Sequence, residues 1–485
     1  MGNILSGLKP EKVFEFFELL SSVPHGSGNT GPISEICVQF ARERGLECHK
    51  DEANNVIIKK PASPGCENAP TVILQGHLDM VCTKRPDCDI DMEKEGPRLA
   101  TDGEWVWAEG SSLGGDDAIG VAVAMAVLDD RTLVHPAVEA LFTTDEETGL
   151  FGAGAVDASL LNGKMLVNLD SEEEGVFTVS CAGGMRCDCT VPVKREAVPE
   201  YICYELEVSG LQGGHSGAEI NKGRGNATKL LARFIYSAIR RMDVRLGDFV
   251  GGDFDNVIPK VSKAVVFVEP EKIDVFEQMA AEFNETVRKE LEATDGGFTM
   301  TATLVQSSDM PADSESTERA VTAIYATPNG IQRMSPDIKD FVQTSLNLGV
   351  LRTSANFVSF SFSIRSSSAS EKNEVFSRVE AIVAACGGNS SKRGEYPAWE
   401  YKADSKLREI CLRAYRRTYG DEARVEGIHA GLECGIFAEK IEGLDAISFG
   451  PDLRDIHSVR ERLNVKSTER MYRLVCEILN IASEL

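Results

Sequence analysis

The stretch Val72–Met80, VILQGHLDM, decides how this chain is read. A mostly apolar run ends at Gly76 and gives way to His77, Leu78 and Asp79. A buried strand therefore stops by presenting an imidazole and a carboxylate on one side. Alone, a His-x-Asp pair reads as a solvated strand terminus. Its neighbours along the chain change that reading.

Amphipathic patterns predict helices over 12–20 and 33–44, with strands at NVIIKK and TVILQG. The segment Ala118–Leu128, AIGVAVAMAVL, is apolar on most sides and predicts a buried helix. Strands follow at AVEALFTT and KMLVNLD, an alternation that implies an α/β sheet covered on both faces. After Gly184 the texture changes to strand alternation (ICYELEVSG, KAVVFVE, FTMTATLV) around helices near 226–241 and 272–292. A comparable set recurs at TSLNLGVLR, NFVSFSFSIRS and a helix near 371–386, which reads as two similar half-domains in series. The α/β texture returns from about Trp399, with helices at 405–418 and 467–482 around the strand DAISFG. The expected architecture is an α/β, mixed-sheet catalytic domain of residues 1–186 and 396–485. An inserted α+β lid domain of residues 187–395 interrupts it.

A formal charge of −25 argues against a nucleic-acid partner, because phosphate binding rests on clustered Lys and Arg. With no apolar stretch of membrane-spanning length and no basic-then-apolar N-terminus, the chain is expected to be cytoplasmic and to bind no membrane. The opening MGNILS fits the myristoylation pattern through Gly2 and Ser6, a short match that we read as chance. The 13 cysteines, odd in number and without a CxxC pair, are expected to be reduced.

Other polar groups lie at or just past the predicted strand ends. GSSLGGDDAIG delivers Asp116 and Asp117 to the start of the buried helix, which by itself is ordinary N-cap chemistry. TTDEETG ends a strand in Asp145, Glu146 and Glu147, VNLDSEEEG ends one at Asp170, and GPDLRDIHS places His457 after another. Binding sites in open α/β sheets lie beyond the carboxyl ends of the strands, and converging carboxylates repel one another unless cations are present. His77, Asp116, Glu147, Asp170 and His457 supply two imidazoles and three carboxylates. That set suits two divalent ions if one carboxylate bridges. Glu146, not needed as a ligand, is free to act as general base.

Taken together, GHLDMV, GSSLGGDDAIG, DEETG, VNLDSEEEG, GGHSGAEINKGRGNA, ATPNG, TSLNLG, IHAGLECGIF and FGPDLRDIHS resemble the M20 metallopeptidases, and within them the Xaa-His (aminoacyl-histidine) dipeptidases, over nearly the whole chain. The resemblance implies that His77 and Asp170 hold one ion, Glu147 and His457 the other, and that Asp116 bridges them. The ions would be zinc, with manganese or cobalt as alternatives. Asp79 would orient His77, and Glu146 would carry the proton. It also implies that His215 stabilises the oxyanion and that Arg365 clamps the substrate carboxylate, with Asn256, His429 and Glu433 as further substrate contacts. Asp117 departs from the pattern, standing where Asn is expected.

The expected activity is hydrolysis of Xaa-His, carnosine-like dipeptides by a monomer or a homodimer formed through the lid. Rivals are a broad M20 dipeptidase, an N-acyl amino acid deacylase, or a non-catalytic metal- or peptide-binding protein. Retention of Glu146 speaks against the last, since a binding module needs ligands but no base.

Overall fold

A computed structural model describes residues 4–307 and 309–485; Gly2 of the myristoylation pattern lies outside them. The chain divides into two compact units. The first takes the chain up to Ser180, Tyr401–Gly427 and Leu432–Leu485; the second takes Cys181–Glu400 and Ile428–Gly431. No helix among the described residues is long and apolar enough to cross a membrane. None of the 13 cysteines is joined in a disulfide.

The first unit is built on an eight-stranded sheet. From edge to edge its strands are Glu47–Lys50, Val56–Lys60, Val138–Thr143, Val72–His77, Met165–Asn168, Asp445–Ser448, Val176–Cys181 and Arg424–Ile428. The four central strands from Val138–Thr143 to Asp445–Ser448 are parallel, with His77 beside Thr143 and Gln75 beside Asn168. Their carboxyl ends therefore share one edge. VILQGH is buried throughout, as a parallel strand covered on both faces must be, and each large apolar side chain there contributes about 1.5–3 kcal/mol.

Helix Gly115–Asp129 packs against this strand and against helix Glu11–Leu20. The small residues of the helix and strand let the two backbones approach closely. A Cβ on Gly76 would lie 2.2 Å from Asp117 Oδ2, and one on Gly120 would lie 2.8 Å from the Leu169 Cβ. Either substitution would push the helix off the sheet. A separate four-stranded sheet holds Leu453–Arg454, Arg462–Asn464, Trp105–Ala108 and Leu99–Thr101.

The second unit contains a nine-stranded sheet whose main path runs Thr299–Leu304, Ile202–Ser209, Ser262–Val268, Val244–Gly251, Val342–Thr353, Phe357–Ser366, Gly183–Pro192 and Asn389–Tyr396. Its two halves meet through a single register pair, Gly251 with Leu351. Each half is a β-α-β-β-α-β unit. In the first half the helices are Ala227–Ile239 and Ile273–Glu290; in the second they are Ser314–Ala326 and Ala369–Ala385. Phe234, Phe276, Val321 and Val379 from these helices join Leu206, Val266, Leu346 and Phe362 from the strands in one core.

The halves are nested rather than in series. Gly183–Pro192, the first strand of the second half, precedes the whole first half in the chain. The same strand moves the boundary away from 186, because it pairs without a break with Phe357–Ser366. The second unit likewise extends to Glu400 rather than 395, and it recaptures Ile428–Gly431, a return that no compositional shift announces.

Candidate functional site

At the shared strand edge of the first unit the polar groups converge. His77 closes its strand, Glu146 and Glu147 follow Thr143, and Asp170 follows Asn168. Asp116 arrives from the opposite direction at the irregular start of helix Gly115–Asp129, with φ −81° and ψ 106°. His457 sits in a turn at φ 58°, a left-handed conformation that a non-glycine residue holds only where its surroundings impose it.

Asp116 divides its carboxylate. Oδ1 lies 3.0 Å from His77 Nε2, and Oδ2 lies 3.3 Å from His457 Nε2. Asp170 Oδ1 is 3.5 Å from His77 Nε2, and Glu147 Oε1 is 2.7 Å from His457 Nε2. Two donor triplets, His77–Asp116–Asp170 and Asp116–Glu147–His457, each gather their atoms within 4.8 Å. They share Asp116. A third triplet, His77–Glu146–Glu147, meets the same limit.

The electrostatics follow from burial and crowding. Burial would lower the His77 imidazole, but Asp170 and Asp116 outweigh it and hold it well above its ordinary value. Asp116 and Glu147 raise His457 to about 10. Burial, reinforced by Glu433, Glu147 and Asp116 against the pull of His77, pushes Glu146 up to about 8. Protons are being drawn into a pocket that needs positive charge. The donor set, a bridging carboxylate between two His-carboxylate pairs, fits a pair of divalent ions, and the buried Glu147 Oε1 accepts no hydrogen bond despite its neighbour.

The surroundings revise two expectations. His77 Nδ1 donates to the backbone carbonyl of Asp79 at 2.9 Å, whereas the Asp79 carboxylate is 3.6 Å away. That carboxylate instead accepts the amides of Glu146 at 3.0 Å and Glu147 at 3.3 Å and the Ser27 hydroxyl at 2.8 Å, so it shapes the loop of the acids. Glu433, expected at the substrate, is fully buried beneath the strand ends, where Oε2 accepts from Gln75 at 2.5 Å and Thr143 at 2.7 Å. It braces the strands through Oε2, while its buried Oε1 has no hydrogen-bond partner. Asp117 joins strand to helix by accepting the amides of His77 and Gly120. Burial and then Asp170 push its carboxyl well above the usual range, toward the neutral form that an Asn would mimic.

One participant gave no usable sequence signal. Glu461, 3% exposed, accepts the amides of Leu113, Gly114, Gly115 and Asp116. It stands in a charged run where nothing marks it as buried. Beside Glu147 a cavity of about 680 Å³ opens, lined by Ser27, Met80, Val81, Met92 and Thr148 among others.

The second unit gathers His215, Arg365 and His429 around Gly217. A Cβ there would lie 2.6 Å from the His429 carbonyl oxygen, 3.0 Å from His215 Cε1 and 3.2 Å from Arg365 Nε. His215 Nδ1 accepts the amides of Gly217 and Ala218, which leaves Nε2 to carry the proton. Burial and then Arg365 lower this imidazole, favouring the neutral ring. Arg365 is 6% exposed and donates to the Tyr396 hydroxyl at 3.0 Å; its Nε has no partner, and no carboxylate pairs with it among the described residues. His429, lowered to about 3 by burial and Arg365, meets the Ser345 hydroxyl at 2.7 Å. Asn256, half-buried, adjoins His215 through its carbonyl, which accepts the Ser216 amide at 2.8 Å.

The model of peptidase family M20/M25/M40 matches residues 73–481. The chain is 36% identical over 476 residues to the cytosol non-specific dipeptidase of Escherichia coli (strain K12), covering 98% of each. It superposes on the crystal structure of an aminoacylhistidine dipeptidase from Vibrio alginolyticus with a TM-score of 0.95, at 36% identity and 98% coverage of each chain. A tripeptidase from Staphylococcus aureus shares the fold at TM-score 0.56 and 16% identity, covering 99% of this chain and 100% of its own.

Proposed function

We propose that this chain, which belongs to peptidase family M20/M25/M40, is a two-metal dipeptidase that cleaves Xaa-His and related dipeptides with a free C-terminal carboxylate. The observation that carries the reading is the divided carboxylate of Asp116, one oxygen toward His77 and the other toward His457. His77 and Asp170 would hold one ion, Glu147 and His457 the other, with Asp116 common to both. Zinc suits this donor set best, with manganese or cobalt as alternatives. Two ions held there would lower the pKa of water and polarise the scissile carbonyl.

The remaining work falls to the chain's own groups. Glu146 takes the proton of the attacking water and delivers it to the leaving amine nitrogen. His215, its Nδ1 occupied by backbone amides, offers Nε2–H to the oxygen that gains charge in the transition state. Arg365, buried without a carboxylate partner, offers its guanidinium to the substrate's terminal carboxylate, with Asn256 and His429 beside it.

The names of the two 36%-identical relatives, one a non-specific dipeptidase and one an aminoacylhistidine dipeptidase, support the dipeptide class and leave two breadths of specificity to separate. The Escherichia coli relative's name supports a cytoplasmic setting. The deciding experiment is hydrolysis of a panel of Xaa-His, Xaa-Leu and N-acetyl amino acids by metal-reconstituted protein. Turnover of Xaa-His well above the others is expected. Equal turnover of Xaa-Leu would make the enzyme a broad dipeptidase, and preferential release of acetate would make it a deacylase.

A further inference from the structure

Glu461 is a buried carboxylate whose partners are four consecutive backbone amides. Oε2 accepts from Leu113 at 2.9 Å and Gly114 at 3.2 Å; Oε1 accepts from Gly115 at 2.8 Å and Asp116 at 3.4 Å. No cation pairs with it among the described residues. A carboxylate removed from water is costly unless its lone pairs are filled, and here the amides at the start of helix Gly115–Asp129 fill them. The loop that wraps it has no slack. A Cβ on Gly114 would come within 2.7 Å of Met80 Sδ, and one on Gly115 within 2.8 Å of Leu453 Cδ2.

The other end of Glu461 is equally fixed. It lies four residues after His457, in a turn closed by its own amide on the Ser458 carbonyl at 3.1 Å and by the Ser458 hydroxyl on the Asp455 carbonyl at 2.6 Å. Asp455 and His457 both hold left-handed φ, at 53° and 58°. Immediately after Glu461 the chain enters strand Arg462–Asn464, paired to Trp105–Ala108. The side chain therefore ties the backbone that presents Asp116 to the turn that presents His457. His77 and Asp170 need no such tie, because His77 ends and Asp170 follows a strand in the parallel ladder of the main sheet.

We infer that Glu461 is a positioning residue that sets the spacing between Asp116 and His457, and thereby holds together the ion site formed by Asp116, Glu147 and His457. The inference rests on the two-metal reading above. Its removal acts chiefly on the His457-side ion, while the ion at His77 and Asp170 keeps those two donors on the main sheet.

The test is stepwise binding of Co²⁺ to full-length, metal-stripped protein, followed by the visible absorption of the bound ion and by competition with a chromophoric chelator. Folding is monitored by circular dichroism. Glu461→Gln keeps the shape but replaces a carboxylate oxygen by an amide group that cannot accept. It is expected to retain the first ion and to weaken the second about 10–100-fold, the usual effect of losing a group that orients a ligand. Glu461→Asp, one carbon too short to reach all four amides, should weaken the same step, and it carries the test if the Gln variant does not fold. Glu139→Gln is the control for general destabilisation: Glu139 is also buried, accepts the amides of Asn162 and Gly163, and should lower the melting temperature without changing either ion's affinity. Wild-type affinity for the second ion in a folded Glu461 variant overturns the inference, as does equal weakening in Glu139→Gln. Wild-type protein that takes up fewer than two ions overturns the metal reading itself.

Discussion

Glu147 Oε1 lies 2.7 Å from His457 Nε2 and, although buried, accepts no hydrogen bond. Two donors so close, aimed off the line that would join them by a proton, share a point where a cation satisfies both. Until one does, protons substitute for it: Asp116 and Glu147 raise His457 to about 10, and Asp170 and Asp116 outweigh burial to keep His77 well above its ordinary value. Near neutral pH both imidazoles are then protonated, and each must become neutral to act as a ligand. Metal uptake should release about two protons per ion pair, and affinity should fall as pH falls. Titration calorimetry in buffers of different ionisation enthalpy measures this release. An uptake with no proton release would remove the imidazoles from the ligand set.

Glu146 shares a loop with Glu147 but is not required by either Asp116-containing donor triplet. Glu146→Gln should therefore leave metal content intact while turnover drops about 10²–10⁴-fold or more. Elemental analysis and kcat on the same preparation separate the two effects. Near-normal kcat would show that another group moves the proton.

The edge where these groups meet was legible because it depends on local patterns. Short apolar runs that stop at His77, Glu146 and Asp170 predict strand ends, and parallel strands put those ends on one side. What could not be read depends on long-range pairing. Gly183–Pro192 looks like a continuation of the first unit until its distant partner is known to be Phe357–Ser366, with Pro192 beside Phe357 and Gly183 beside Ser366. Glu461 is written like any surface acid and Glu433 like a substrate contact, and only the fold shows that Glu433 braces Gln75 and Thr143 while Glu461 gathers four amides. At Asp79 the sequence does not distinguish a backbone carbonyl from a carboxylate as the partner of His77.

Glu433 allows a test in which stability rather than activity is read. Burial raises its carboxyl to about 7, above the value of about 4.3 expected in the unfolded chain. The folded state thus binds more protons than the unfolded state between those values, so this group costs stability as pH rises, with the full cost present above pH 7. Glu433→Gln keeps an oxygen for Gln75 and Thr143 and removes the charge. In metal-stripped protein it should gain stability over wild type at pH 8 relative to pH 5, by on the order of 3 kcal/mol at most. Urea melts at the two pH values check this, and an unchanged difference would show that the carboxyl is ionised at no cost.

His215 carries a proton on Nε2 because its Nδ1 is held by Gly217 and Ala218. If that N–H stabilises charge formed only in the transition state, His215→Ala should lower kcat far more than it raises KM, by about 2.7–4 kcal/mol. Metal stoichiometry should not change. A variant altered mainly in KM would assign the ring to ground-state binding instead.

Arg365 donates to the Tyr396 hydroxyl and leaves its Nε without a partner, so a buried positive charge waits for an anion. A substrate's C-terminal carboxylate would fill that need, and a dipeptide amide would not. The wild-type enzyme should therefore prefer the free acid over the amide, and Arg365→Met should erase that preference by lowering kcat/KM for the acid alone. A hydrogen bond to a charged group is worth about 1.5–3 kcal/mol, which corresponds to a loss of roughly 10–100-fold for the acid. Circular dichroism guards against misfolding, because Arg365 packs within the second unit beside His215 and His429. If the variant discriminated acid from amide as strongly as wild type does, the carboxylate would have to be recognised by another residue.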